Sequence, residues 1–248
     1  MVRTIFWLID FVLYLVYIRI QAFRGKRLEK AGLITEKRRF TQQVGQKWSN
    51  RLLRKAGSQI HVEGREHIPS EGPVVIVSNH QSYFDIPLMV SLIPLPMGFV
   101  AKKELEKLPV IRRWMDLIEC SYIDRKDIRQ SLRAIQKAQK SLESGQSMVI
   151  FPEGTRSKKR DISAFKPGSL KLAQKASVPI LPVVVDGTYR IFEETGRLQP
   201  TSVSVTILPL ISAEEVVQSN SGDLMKRVFN QIRSVLGMEG LLSPDEDS

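Results

Sequence analysis

The sequence predicts an α/β fold, a mixed and largely parallel sheet flanked by helices, preceded by an N-terminal helical pair. Two observations carry the α/β prediction: short apolar runs recur beyond Gly57, and amphipathic stretches with helical spacing separate several of them. A third observation sets residues 1–57 apart, because an apolar run and most of the excess positive charge are gathered there. The expected organisation is a membrane-associated helical segment over 1–57, a globular domain over 58–240 and a disordered acidic tail over 241–248.

The apolar runs at 73–78 (PVVIVS), 97–101, 121–123, 147–151, 180–186 and 202–208 have the length and composition of strands. Between them, a helix is expected to start at Asp127 as N-cap, to present Ile128, Leu132, Ile135 and Leu142 on one face, and to stop at Gly145. Another runs from Asp223 through Leu224, Val228, Ile232 and Val235 to Gly237.

Formal charge is +11 over 248 residues, yet residues 1–60 hold thirteen basic and only three acidic side chains, which leaves almost no excess for the rest. Such asymmetry calls for a polyanionic partner, either nucleic acid or anionic lipid. The run TIFWLIDFVLYLVYIRI at 4–20 argues for lipid and against nucleic acid, with Trp7, Tyr14 and Tyr17 suited to the headgroup level. Its uninterrupted part, 11–18, is too short to span a bilayer. A helix dipping into one leaflet is therefore expected, with a single span as the alternative. Arg19, Arg24, Lys26 and Arg27 stand where a signal peptide would be cleaved, and their charge assigns this side to the cytoplasm. In a second helix, expected over 36–56, Phe40, Val44, Trp48 and Leu52 recur every four residues among basic ones. That is the pattern of an amphipathic helix on a lipid surface, or else of a helix packed on the following domain.

Cysteine and metal chemistry find little support. Cys120 stands alone and reads as a small buried apolar residue. His61, His67 and His80 have no zinc-ligand spacing, so no metal is expected.

The chemistry-bearing residues lie where strands end, the edge at which α/β sheets bind ligands. After PVVIVS the chain turns polar as Asn79-His80-Gln81-Ser82-Tyr83-Phe84-Asp85. His80 can serve as a general base near neutral pH, and a carboxylate on its other ring nitrogen, within reach from Asp85, would fix the tautomer. Alone, a His and an Asp five positions apart are better read as a structural His beside a capping Asp, until further motifs are counted. A second polar string, Phe151-Pro152-Glu153-Gly154-Thr155-Arg156-Ser157, follows another strand. Its glycine admits close approach of a ligand, and Arg156 can hold a phosphate through two nitrogens.

With these motifs in hand, the sequence resembles the glycerolipid acyltransferase family, particularly its bacterial-type 1-acylglycerol-3-phosphate acyltransferases. The resemblance rests on NHQSYFD at 79–85, YIDR at 122–125, FPEGTRS at 151–157 and VPILPV at 178–183, and covers about 60–210. It departs at Glu119, where members often carry glycine. What it implies is direct transfer of a fatty acyl chain from acyl-CoA or acyl carrier protein to the hydroxyl of lysophosphatidic acid, with no further cofactor. His80 would be the base and Asp85 its orienting partner. Glu153, Gly154 and Thr155 would line the glycerol part, and Arg125 and Arg156, with Lys102 or Lys103, would hold the phosphate. VPILPV takes a structural role. Other acceptors (glycerol 3-phosphate, another lysophospholipid or a lyso-aminolipid), a thioester hydrolase using Ser82, and a non-catalytic membrane-surface scaffold are the alternatives.

Overall fold

The computed structural model describes residues 2–124 and 126–238; the expected acidic tail lies outside them. Helix α1 (Val2–Lys30) turns through Gly32, whose φ is +73°, into α2 (Ile34–Ala56). A sheet of seven strands follows: β1 (Gln59–Glu63), β2 (Val75–Ser78), β3 (Met97–Lys102), β4 (Ser121–Ile123), β5 (Ser147–Ile150), β6 (Ile180–Asp186) and β7 (Ser202–Ile207). Their spatial order is β1-β7-β6-β2-β5-β3-β4. β6, β2, β5, β3 and β4 run parallel, β7 reverses against β6, and β1 lies parallel to β7. The mixed, largely parallel sheet is thus the predicted one.

Between strands lie α3 (Asp85–Leu92), α4 (Pro109–Leu117), α5 (Ile128–Glu143) and α6 (Lys171–Ala176), and α7 (Ala213–Gln218) and α8 (Ser221–Val235) follow β7. Asp127 caps α5 as expected, accepting from the Gln130 amide at 3.0 Å. β2 and β5 are buried at every position, because helices cover both faces of the sheet. On one face Ile76, Leu88, Phe99 and Leu181 pack with Leu52, Leu53 and Ala56 of α2. On the other, Val75, Val77, Met148 and Val184 pack with Ala138, Leu142, Val228 and Ile232 of α5 and α8.

One local expectation changes. The apolar stripe of α2 faces protein: Val44, Leu52 and Leu53 are buried, α2 lies against α1 and α3, and Lys37 is only 2% exposed. The outer side of α1 presents large apolar side chains to the surroundings, as the apolar run at 4–20 leads one to expect, including Ile5, Phe6, Ile9, Leu13, Val16, Ile20 and Phe23. Asp10, the charge that interrupts the apolar run, lies on the inner side, where Arg51 and Lys55 of α2 donate to it. Trp7 adds an indole hydrogen bond to the Leu52 carbonyl at 3.4 Å.

Candidate active site

β2 and β5 are neighbours, so the two polar strings leave the same edge of the sheet side by side. Asn79 continues the pairing of β2 with β6, donating to the Val185 carbonyl at 2.8 Å and accepting from its amide at 2.9 Å. The chain then bends sharply so that Asp85 opens α3. The Asp85 carboxylate is fully buried, and its Oδ2 accepts from the amides of Gln81 (2.7 Å) and Ser82 (2.9 Å) and from His80 Nδ1 (2.7 Å). Its other oxygen accepts from the Thr188 hydroxyl. With every partner a donor, Asp85 holds Nδ1 as the protonated nitrogen of a neutral imidazole and leaves Nε2 to receive a proton. Phe151 stacks on the His80 ring, centroids 4.1 Å apart and planes 16° from parallel, which fixes the direction in which Nε2 points.

Glu153 binds the two loops together. Its oxygens accept from the backbone amides of His80 at 2.6 Å and Ser163 at 2.8 Å, while the Ser157 amide donates back to the His80 carbonyl at 2.8 Å. Burial pushes the Glu153 carboxyl up to about 7, against the pull of those two amides. A residue so enclosed braces the site from beneath and does not line it.

The ring of His80 opens on a cavity of about 750 Å³ between the sheet and the α1–α2 pair. Lys102, Gly154, Thr155 and Arg156 line it near His80, and its walls are otherwise mostly apolar, among them Phe11, Leu15, Trp48, Phe99 and Trp114. Lys103 points away and pairs with Asp124 at 3.2 Å, and Arg125 lies outside the described residues. Cys120 also borders the cavity, but it is fully buried, which pushes its thiol up to about 12. Ser82 is no nucleophile in this arrangement, since its hydroxyl donates to Glu193 at 2.7 Å and accepts from the Phe84 amide at 2.9 Å. Among the described residues, no three His, Cys, Asp or Glu side chains are grouped to hold a metal.

A family profile described as Acyltransferase matches residues 59–186, just over half of the sequence. The chain belongs to the acyltransferase family. Its relatives in this family include the 1-acyl-sn-glycerol-3-phosphate acyltransferase of Borreliella burgdorferi strain B31, 32% identical over 178 residues that make up 71% of each chain. A probable 1-acyl-sn-glycerol-3-phosphate acyltransferase of Mycoplasma genitalium is 37% identical over 165 residues, 64% of this chain and 56% of that one. The chain thus spans a little over half the length of that relative and of its Mycoplasma pneumoniae counterpart, where the share is again 56%. Among solved structures, the 1-acyl-sn-glycerophosphate (LPA) acyltransferase PlsC from Thermotoga maritima has a TM-score of 0.73 at 25% identity, covering 93% of this chain and 98% of that one.

Two residues of the candidate site escape a reading of the sequence. Thr188 completes the shell of Asp85 from 103 positions away. Glu193 accepts from Ser82, from the Tyr83 amide at 2.8 Å and from Arg156 at 3.1 Å. Neither belongs to a string with a readable pattern, and only the turn after β6 carries them to the site.

Proposed function

We infer that the protein transfers a fatty acyl chain from a thioester, acyl-CoA or acyl carrier protein, to the free hydroxyl of 1-acyl-sn-glycerol 3-phosphate, giving phosphatidic acid. The observation that carries this reading is the His80–Asp85 pair, 2.7 Å apart, at the head of an apolar cavity with Lys102 and Arg156 beside it. In this scheme His80 Nε2 takes the proton of the acceptor hydroxyl as its oxygen attacks the thioester carbonyl. The carbon–sulfur bond breaks, the imidazolium returns the proton to the departing thiolate, and the product is an ester and a free thiol. Asp85 holds the ring and stabilises the imidazolium. Arg156, and Lys102 beside it, meet the phosphate, Gly154 and Thr155 adjoin the glycerol, and the apolar walls take an acyl chain. Direct transfer needs neither metal nor bound cofactor. The scaffold alternative leaves unexplained why a buried carboxylate is spent on holding one imidazole at the mouth of a cavity. The test is acyl transfer by purified protein to a panel of acceptors and donors, with His80→Ala as control; a folded His80→Ala protein of near-normal activity overturns the mechanism.

The same reading makes the protein a monotopic one on the cytoplasmic face of a membrane. α1 is long and apolar enough to cross a bilayer, with mean hydropathy 1.7 in its most apolar window. Yet Thr4 accepts from the Leu198 amide at 3.2 Å near one end, and Gly25 packs against Leu117 near the other. Those residues are about 32 Å apart along a helix, roughly the thickness of the hydrocarbon core, and both touch the sheet domain. A helix so attached lies along the domain, with its outer apolar side toward one leaflet and the flanking basic residues toward anionic headgroups. Protease access tested on both sides of a sealed vesicle distinguishes this arrangement from a span.

A further inference from the structure

Glu119, in the turn between α4 and β4, has φ +61°, a left-handed conformation that penalises any residue with a β-carbon. Glycine would adopt it freely. The carboxylate present instead reaches across to α2. Its Oε1 accepts from Lys37 Nζ (2.9 Å) and Arg38 Nε (2.8 Å), and its Oε2 accepts from Arg38 Nη2 (2.8 Å). Lys37 lies 3.7 Å from Glu29 of α1 as well, so both helices of the hairpin are tied in. Arg38 continues to the Ser144 carbonyl and, at 2.7 Å, to its hydroxyl beyond the end of α5. Burial pushes the Glu119 carboxyl up, but the Arg38 and Lys37 hydrogen bonds outweigh it and leave the group below its ordinary range, as a charged partner should be.

The turn itself is anchored on the domain side. Gln146 donates to the Ile118 carbonyl at 3.0 Å and Lys137 to the Cys120 carbonyl at 2.9 Å. Beneath it is Gly98, where a Cβ would come within 2.6 Å of the Ile118 carbonyl oxygen. Gly98 lies near the start of β3, whereas His80 stands beyond the end of β2, which runs parallel to β3 with β5 between them. Ile118 and Cys120 on either side of Glu119 line the cavity, and so do Thr41, Gln42 and Gly45, one to two turns along α2 from Lys37 and Arg38. The ion contacts therefore join the two walls at the end of the cavity opposite to His80.

We propose that Glu119 is a positioning residue that, through Lys37 and Arg38, fixes where the far end of the acyl slot closes and so sets the chain-length preference for the substrate acyl group. It rests on the reading of the cavity as an acyl slot. The loss of the contacts frees the hairpin to shift at that end, and the chemistry at His80 is left in place.

The experiment measures kcat and KM of the full chain on lysophosphatidate-containing vesicles with acyl-CoA and acyl-carrier-protein donors of graded chain length. Glu119→Gly relieves the backbone strain while removing the carboxylate, and it is expected to change the long-to-short ratio of kcat/KM about threefold or more, mostly through KM. The melting temperature and kcat for the shortest donor should stay near those of the parent. Arg38→Leu is expected to change the ratio in the same direction, and the double variant to fall short of the product of the two single effects, because both break the Arg38–Glu119 contact. Glu119→Gln, which preserves shape, carries the same comparison if the glycine variant fails to fold. An unchanged ratio, or equal losses at every chain length, overturns the proposal. Thr41→Trp separates the two ideas by filling the far end from the α2 wall. A donor profile that Thr41→Trp leaves untouched overturns the acyl slot and the proposal with it, whereas a profile moved by Thr41→Trp and by neither Glu119 variant overturns the proposal alone.

Discussion

Arg156 is held in the mouth of the cavity by Glu193, Nη1 to Oε1 at 3.1 Å, with its guanidinium carbon 3.4 Å from the centre of the Tyr83 ring. The Glu193 side chain is only 5% exposed and also binds Ser82 and the Tyr83 amide, both between His80 and Asp85 in the chain. One buried carboxylate thus couples Arg156 to the loop that carries His80.

That coupling gives the first prediction. Glu193→Gln should lower kcat/KM for lysophosphatidate by about tenfold, the size of one charge-assisted hydrogen bond. Arg156→Ala should lose more and Arg156→Lys an intermediate amount, since lysine keeps the charge without the planar fork. Any activity toward lysophosphatidylcholine should suffer less, because a diester offers less charge. Steady-state rates on both acceptors, with one donor at fixed salt and lipid surface concentration, decide it; equal losses would remove the phosphate role from Arg156.

For the base and its shell, His80→Ala should lower kcat by about 10² or more while the far-ultraviolet circular dichroism stays unchanged. Asp85→Asn should be comparably impaired and less stable, because an amide presents N–H to a site where every neighbour donates. Thr188→Val, removing one of four donors, should cost only about threefold to tenfold. A Thr188→Val loss as large as that of His80→Ala would mean that the Asp85 orientation depends chiefly on this hydroxyl.

Glu153 makes stability pH-dependent. Its folded carboxyl titrates near 7 against an ordinary value of 4.5, so between those values the folded protein holds a proton that the unfolded chain has released. Stability from this group is complete below pH 4.5 and is lost as the pH rises through about 7. The melting temperature of the parent should therefore fall relative to that of Glu153→Gln across this interval. A constant difference between the two melting curves would show that the His80 and Ser163 amides hold Glu153 ionised throughout.

At the membrane, replacing Phe6, Leu13 and Phe23 together by Gln should abolish most vesicle binding without unfolding the protein, since all three are more than 60% exposed. High salt should weaken binding only in part, because it screens the basic residues and leaves the apolar contact intact. Deleting 1–57 is the poorer test, as Leu52, Leu53 and Ala56 belong to the core. Flotation with vesicles containing anionic lipid, at low and high salt, measures both effects, and complete release by salt alone would show that the outer side of α1 does not enter lipid.

How much of this is legible in the sequence follows from which forces act locally. Strands buried on both faces stand out as apolar runs, and Asp127 announces its helix because a cap bonds three residues ahead. β1 does not stand out: QIHVE alternates exposed and half-buried positions at the sheet edge, so nothing demands an apolar run. His80 and Asp85 are readable because both lie in one loop. Glu193 and Thr188 reach that loop from more than a hundred residues away, and no spacing encodes them. Lys37 and Asp10 are misleading for a related reason, since a charge facing a partner within the protein looks in one dimension like a charge facing water or lipid headgroups.

The adjacency of β2 and β5 has a consequence for how this protein can change over time. Val77 pairs with Ile150, and the strings that carry His80 and Arg156 start within three residues of that pair. A one-residue slip of one strand would displace its string by about 3.3 Å and turn every one of its side chains to the opposite face. The reach between His80 and Arg156 is thus inherited from the register of a backbone ladder. Insertions in the segment between β3 and β4 leave that reach alone, whereas a single residue gained or lost within 75–80 or 148–156 changes the distance between His80 and Arg156 even when the fold survives.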